Sequence, residues 1–159
     1  MSKNGASVVV LAIGCVVSAC GNVDQKKFDP VYRAGKALEI EVNATGGASA
    51  RSNELAKQFQ TEVSALSGRA RGTRETQALQ AYAEAGDAYE FFIRFRSLDF
   101  DSVKGRIWLR GTNLDVASRF KFPVETKDGE KFVDSGDAMK ILLEVAQRKL
   151  TEGNQIVNG

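Results

Sequence analysis

Apolar residues recur every three or four positions along most of this chain, and that spacing lines one face of an α-helix. The first series follows Asp29-Pro30, a pair that suits a helix start because aspartate caps the first turn and proline is tolerated at its first position. Its apolar members are Val31, Ala34, Leu38 and Val42. A strand pattern competes from Leu38 to Val42, but the favourable cap leads us to predict a helix, which the glycine-containing segment 43–47 ends.

A second helix is predicted from about Ser52 to Leu66. Its apolar stripe consists of Leu55, Phe59, Val63 and Leu66. Ser67-Gly68 ends this helix, and the link 69–72 is short, so the next helix should return antiparallel to it.

The third helix, from about Thr73 to Arg96, has the longest periodic pattern. Its stripe consists of Leu79, Tyr82, Gly86, Tyr89 and Ile93. A glycine within a stripe indicates close approach by a neighbouring helix, and we expect the two tyrosines to be core residues whose hydroxyls reach the rim. Phe91, Phe92 and Phe95 broaden the apolar face, so both sides of this helix should be covered near its end.

The pattern becomes irregular from Leu98 to Ser135. Residues 106–110 fit a short strand or a buried turn, and Thr112 or Asn113 can cap a brief helix that reaches Phe120. Residues 120–124 fit an edge strand or an extended cover, since Pro123 interrupts them. Asp128-Gly129 is a tight-turn signal. We expect an irregular segment or a small hairpin that forms a lid across the ends of the helices.

The last helix is predicted from Asp137, as its N-cap, toward Ile156, with fraying or termination at Gly153. Its stripe consists of Met139, Leu142, Leu143, Ala146 and Leu150. The predicted fold class is therefore all-α. We expect a small antiparallel bundle of about four helices, with the irregular segment between the third and last long helices, in a single domain at 29–159.

The N-terminal region has a different pattern, in which one lysine at position 3 precedes the apolar run 8–17. The run is too short to cross a bilayer, which requires about 20 residues. The small residues Ser18 and Ala19 and then Cys20 follow it, in the order of a secretory signal peptide. Residues 21–27 are short and polar, so we expect 20–28 to be an anchor and tether, and the alternative is that 21–27 already begins the first helix.

The sequence Val17-Ser18-Ala19-Cys20 resembles the lipobox of bacterial lipoproteins. The resemblance implies removal of residues 1–19 by cleavage between Ala19 and Cys20, and attachment of diacylglycerol to the Cys20 thiol. It also implies a location in the cell envelope. Because Gly21 stands where aspartate would retain the protein at the inner membrane, it implies the outer membrane, facing the periplasm, in a Gram-negative host.

Three alternatives to lipidation at Cys20 remain open. Ala12-Ile13-Gly14-Cys15 is a second, poorer lipobox, because the apolar run before it is half as long. The chain can also be an ordinary secreted protein that retains Cys20 as a free thiol. Finally, it can be a cytoplasmic protein whose apolar first segment is buried.

Composition narrows the chemistry that the folded part can perform. The chain contains no histidine, which excludes Ser-His-Asp triads and metal sites built on imidazole. Its only cysteines are the two in the leader region, and its formal charge of +2 gives no reason to expect nucleic acid binding. We therefore predict a protein that is not an enzyme and that uses no cofactor or metal.

Two groups of residues are candidates for binding. Arg69, Arg71 and Arg74 are either a solvated link or a contact for an anion, such as a lipid head group or an acidic partner. An apolar pocket between helices would use Tyr82, Tyr89, Phe92 and Trp108.

The leading functional hypothesis is a lipid-anchored, non-catalytic module that binds another envelope protein or a cell-wall component. One alternative is a carrier or sensor of a small apolar ligand. A less favoured one is a hydrolase of cell-wall glycans, which would require two carboxylates about 5–9.5 Å apart in one cleft.

Overall fold

The computed structural model describes residues 23–47, 49–97 and 105–159. Along these ranges the elements are α1 (Gln25–Thr45), α2 (Ala50–Ser67), α3 (Gly72–Ser97), β1 (Arg106–Trp108), α4 (Thr112–Phe120), β2 (Glu125–Lys127), β3 (Glu130–Asp134) and α5 (Ser135–Asn158). The chain is mostly helical, as its hydrophobic pattern predicts. Three strands and a short fifth helix go beyond the expected four-helix arrangement.

The four long helices form a bundle in which sequential neighbours are antiparallel. Near its start α3 contacts the end of α5 through Arg74 and Ile156, whereas further along it Glu84 pairs with Lys149. We call one end of the bundle, formed by residues 23–29, 67–75 and 153–159, the proximal end. The opposite end, where α1 joins α2 and where α3 ends and α5 begins, is the distal end.

The first helix begins earlier than its sequence predicts. Asp24 is the N-cap and accepts a hydrogen bond from the backbone N–H of Lys26, so Pro30 lies inside α1 instead of at its start. The predicted start at Asp29 is wrong because the extra turn buries Phe28, which is 1 % exposed and stacks on Tyr82. The free energy gained by burying an aromatic ring of this size offsets the cost of the helical hydrogen bond that Pro30 cannot donate. Residues 25–28 thus belong to the helix and not to the tether.

Small residues allow α3 and α5 to pack closely. The buried small side chains are Ala78, Ala81, Ala85 and Ala88 on α3 and Ala138 and Ala146 on α5. A methyl group added at Gly153 of α5 would approach ring atoms of Tyr82 to 3.0 Å. The prediction that Gly153 frays or ends this helix is therefore wrong, because the glycine is a packing site and α5 continues to Asn158.

The last helix is also capped earlier than predicted. Asp134, not Asp137, is the N-cap, and its carboxylate accepts from the backbone N–H groups of Gly136 and Asp137. Gly86, the other glycine within a stripe, faces the side chain of Gln60 on α2, which confirms the expected close approach.

Residues 105–134 form a three-stranded antiparallel sheet in the order β1-β3-β2, with α4 between β1 and β2. Asp128 and Gly129 have φ values of 53° and 79°, as a two-residue hairpin turn requires, so the tight-turn prediction is confirmed. Of the two readings for 106–110, the strand is correct. Neither Thr112 nor Asn113 caps α4, because Gly111 occupies that position without a side-chain bond.

The segment between α3 and α5 packs along the side of these helices instead of closing their ends, contrary to the lid that we predicted. Phe120 and Phe122 contact Phe91 and Phe95 with ring centroids 6.0 and 6.3 Å apart. On the other side of α3, Phe92 lies against Gly47 of the α1–α2 link. The prediction that both sides of α3 are covered near its end is confirmed.

Candidate functional site

The predicted cleavage and lipidation residues, Ala19 and Cys20, lie outside the described residues. The first described residue, Val23, packs against the hydrophobic core, and α1 begins two residues later. The N-terminal segment of the chain therefore joins the bundle at its proximal end.

Glu75 ties the start of α1 to the α2–α3 link. Its carboxylate forms an ion pair with Lys27 and accepts the backbone N–H of Arg71 at 2.7 Å. The hydrogen bond from Lys27 holds the pKa of Glu75 below its ordinary value, although burial acts in the opposite direction. The backbone N–H groups of Arg71 and Asp24 lower this pKa further.

The Lys27 ammonium makes a second contact at the same place, donating to the backbone carbonyl of Arg69 at 2.6 Å. The Lys27 and Glu75 side chains are only 13 % and 11 % exposed. The sequence does not predict this pair, because its pattern places Lys27 in the tether. Its partners are far apart in the chain, and no local spacing marks such a contact.

The three predicted anion-contact arginines have different roles in the structure. Arg74 donates to the backbone carbonyl of Ile156 at 2.9 Å and so stabilises the last turn of α5. One guanidinium nitrogen of Arg71 donates hydrogen bonds to the backbone carbonyls of Gly68 and Ala70, both at 3.0 Å. Among the described residues, no acceptor lies within bonding distance of the Arg69 guanidinium. Arg69 and Arg71 are exposed, so only these two present their side chains at the surface.

The proximal end carries more positive than negative side chains. Its residues include five basic and three acidic side chains. Two of the acids are neutralised within the fold, Glu75 by Lys27 and Asp29 by Arg33 at 2.9 Å. The third acid, Asp24, caps α1. The basic side chains of Lys26, Arg69 and Arg71 are exposed at the same end. The result is a basic surface at the end where the N-terminal segment enters.

A groove of about 510 Å³ lies at the same end, between α1 and α5. Phe28, Tyr32, Tyr82 and Val157 supply apolar surface, and Gln25, Lys26, Asp29, Asn154 and Asn158 supply polar groups. The Tyr82 hydroxyl is buried and has no hydrogen-bond partner within the part of the chain that the structure describes. Burial, together with the nearby Tyr32, raises the pKa of Tyr82 well above its ordinary value, so the hydroxyl remains protonated.

The other predicted pocket residues have separate surroundings. Tyr89 is fully buried, its hydroxyl has no partner in residues 23–47, 49–97 and 105–159, and burial raises its pKa. The hydroxyls of Tyr82 and Tyr89 therefore do not reach the rim as expected, because the packing of α3 places both inside the core. Phe92 contacts the α1–α2 link. Trp108 is 41 % exposed on β1, where its ring meets that of Phe132 edge-on at 5.8 Å.

The described residues contain no group of three or more histidine, cysteine, aspartate or glutamate side chains that can hold a metal ion. In the same part of the chain, no helix is both long and apolar enough to span a membrane. No family model matches the chain, and comparison with curated proteins and with solved structures found no match.

Proposed function

We propose that this chain is a lipoprotein of the bacterial cell envelope, anchored through Cys20, and that its folded part is a non-catalytic module that binds another envelope component. The observation that carries the proposal is the order of Lys3, the apolar run and Val17-Ser18-Ala19-Cys20. Two or more acyl chains hold a protein stably at a bilayer, whereas one chain gives only marginal binding.

The direction of the bundle supports this division of roles. The N-terminal segment joins the proximal end, and β3 leads into the start of α5 at the distal end. Since α5 has 24 residues, its axis is about 36 Å long. A partner in the periplasm can therefore reach the sheet without approaching the bilayer.

We assign partner binding to the outer face of the sheet. The side chain of Trp108 is exposed on this face, and its ring contacts the ring of Phe132. The guanidinium of Arg106 also lies against the Phe132 ring, 4.4 Å from its centroid. Tryptophan and arginine are the residue types most enriched where binding energy concentrates in protein interfaces. Their position on a rigid ladder presents them in a fixed arrangement.

Membrane partitioning of two cysteine variants in a bacterial host tests the anchor. Cys20→Ser removes the proposed acylation site and should shift the protein out of the detergent phase. Cys15→Ser is the matched control, because the proposal places this cysteine in the removed leader. Equal detergent partitioning of the two variants would contradict the proposal.

Photocrosslinking in intact cells tests the assignment of the sheet. A photoreactive aromatic residue in place of Trp108 should give a reproducible adduct with one envelope component. The same residue in place of the exposed Glu54 on α2 should not. Absence of any adduct specific to position 108 would count against this surface.

The groove beside Tyr82 favours a second candidate function, the carriage of a small ligand with an apolar body and one polar group. Its volume lies in the range of small-molecule sites, and Tyr82, whose buried hydroxyl has no partner among the described residues, is one of the residues that line it. Tyr82→Phe should weaken binding of a fluorescent probe that has an apolar body and one polar group, and Tyr89→Phe should not. Absence of saturable probe binding to the native protein would eliminate this candidate.

A further inference from the structure

We propose that Lys26, Arg69 and Arg71 form a basic face that rests on the phosphate groups of anionic phospholipids, so that the bundle stands with its proximal end on the membrane. This inference rests on the proposed lipid anchor and adds an orientation to it. The sequence left open whether these arginines contact a lipid or an acidic partner, and the placement of the α2–α3 link favours the lipid.

The link is fixed beside the start of α1. Lys27 bonds the carbonyl of Arg69, and Glu75 bonds both Lys27 and the backbone of Arg71. From Cys20 to Gln25 a fully extended chain spans at most about 18 Å. With Cys20 anchored, the basic face is therefore held within a short distance of lipid phosphates, and their effective concentration there is high.

The charges at this end are available for an external anion. Glu75 and Asp29 are already paired within the fold, and Arg69 has no internal acceptor among the described residues. One guanidinium nitrogen of Arg71 donates to backbone carbonyls of the α2–α3 link. Because a guanidinium carries five N–H donors, the remaining N–H groups of Arg71 can bind a phosphate. Lys26 is exposed and lies in the first turn of α1, two residues after the N-cap Asp24.

The attraction between these basic side chains and an anionic membrane is strong enough to orient an anchored protein. A lysine or arginine close to an anionic membrane favours the bound state by roughly five-fold. Three such residues opposed by Asp24 should favour the docked orientation by roughly 25-fold at low ionic strength. Salt should weaken this preference, because charges at a surface are screened beyond about 8 Å at physiological ionic strength.

The test uses the full chain, processed in a bacterial host and reconstituted in phosphatidylcholine vesicles with or without phosphatidylglycerol. A fluorophore is attached at Ser67→Cys, beside the link, or at Thr126→Cys, on β2. Both native residues are exposed. Because Cys15 and Cys20 are the only native cysteines, the introduced thiol is the only free one after processing. A quencher on the lipid head group reports proximity to the membrane.

We expect stronger quenching at position 67 than at position 126, increasing with phosphatidylglycerol and decreasing with salt. Arg69→Glu, which breaks no side-chain bond among the described residues, should reduce the docked fraction, and Arg69→Glu with Arg71→Glu should remove the dependence of quenching at position 67 on phosphatidylglycerol and on salt. Lys57→Glu with Lys140→Glu is the matched control, because it makes the same charge change at exposed sites outside the proximal end.

The mass of the reconstituted protein separates the two proposals. An unacylated chain would overturn the anchor itself. An acylated chain with equal quenching at both positions, or with quenching insensitive to phosphatidylglycerol and to the Arg69 and Arg71 variants, would overturn the basic face alone. A photoreactive residue at position 67 that gives a protein adduct in intact cells, with loss of that adduct but no change in quenching in the Arg69 and Arg71 variants, would also overturn it, because the basic face would then bind an acidic partner.

Discussion

Two glycines inside the long helices, Gly153 on α5 and Gly86 on α3, have different neighbours. Gly153 lies against the ring of Tyr82, which is rigid and fully buried, whereas a methyl group added at Gly86 would lie 3.1 Å from the flexible amide of Gln60. The cost of adding a methyl group depends on whether the neighbour can move.

Alanine substitution should therefore have opposite effects at the two positions. Gly153→Ala should lower the free energy of unfolding by about 1–2 kcal/mol, because displacement of the Tyr82 ring outweighs the gain in helix propensity. Gly86→Ala should leave it unchanged or raise it by up to about 1 kcal/mol. Urea unfolding of both variants measures the difference, and destabilisation at Gly86 equal to that at Gly153 would contradict this account.

The hydroxyl of Tyr89 allows a second test at the same scale. A buried hydroxyl without a partner destabilises the folded state by about 1–3 kcal/mol. Tyr89→Phe should therefore be neutral or should stabilise the protein by about 1 kcal/mol. A substantial loss of stability in chemical denaturation would indicate that this hydroxyl has a hydrogen-bond partner in solution.

The elements differ in how far the sequence predicts them, and the reason is the range of the interactions that define them. Helical stripes and the Asp128-Gly129 turn are local signals, so the existence of all long helices and of the hairpin could be predicted. The start of α1 could not, because two aspartates compete as caps and the burial of Phe28 against α3 decides between them. The Lys27–Glu75 pair likewise joins distant parts of the chain.

The candidate surfaces follow the same rule. The basic composition of the α2–α3 link is visible in the sequence, but only the fold separates Arg74, which stabilises α5, from Arg69 and Arg71 at the surface. The four aromatic residues proposed for one pocket share an apolar character and not a location. Tyr82 alone of these four borders the groove between α1 and α5.

Glu75 connects elements, so its replacement tests how the proximal end is held together. Glu75→Gln should lower the free energy of unfolding at neutral pH by about 2–3 kcal/mol, because hydrogen bonds to a charged group are lost at a largely buried site. Glu54→Gln is the control, since the Arg51–Glu54 pair is exposed and should contribute less than about 1 kcal/mol.

The loss of stability in Glu75→Gln should depend on pH. The folded-state pKa of Glu75 lies below its ordinary value of 4.5, so its contribution is fully present above that pH. The contribution is lost as the pH falls through the folded-state pKa. The stability difference between native protein and Glu75→Gln should therefore shrink on acidification below about 4.5. Urea unfolding at several pH values measures it, and a constant difference would contradict the assigned ion pair.

At the scale of the whole molecule, the proposed anchor, the basic face and the exposed Trp108 follow one direction along the bundle. The N-terminal segment enters at the proximal end, where Glu75 and Asp29 are paired within the fold and Lys26, Arg69 and Arg71 are exposed. The sheet that carries Trp108 connects to the distal end. In the proposed function, the proximal end contacts the bilayer and the sheet beside α3 and α5 is presented to a partner.

The mass of the N-terminal peptide of the mature protein, purified from a bacterial host, tests the central claim most directly. The account predicts a peptide that begins at Cys20, continues with Gly21 and carries diacylglycerol on the thiol. A peptide that begins elsewhere, or that begins at Cys20 with an unmodified thiol, would contradict it.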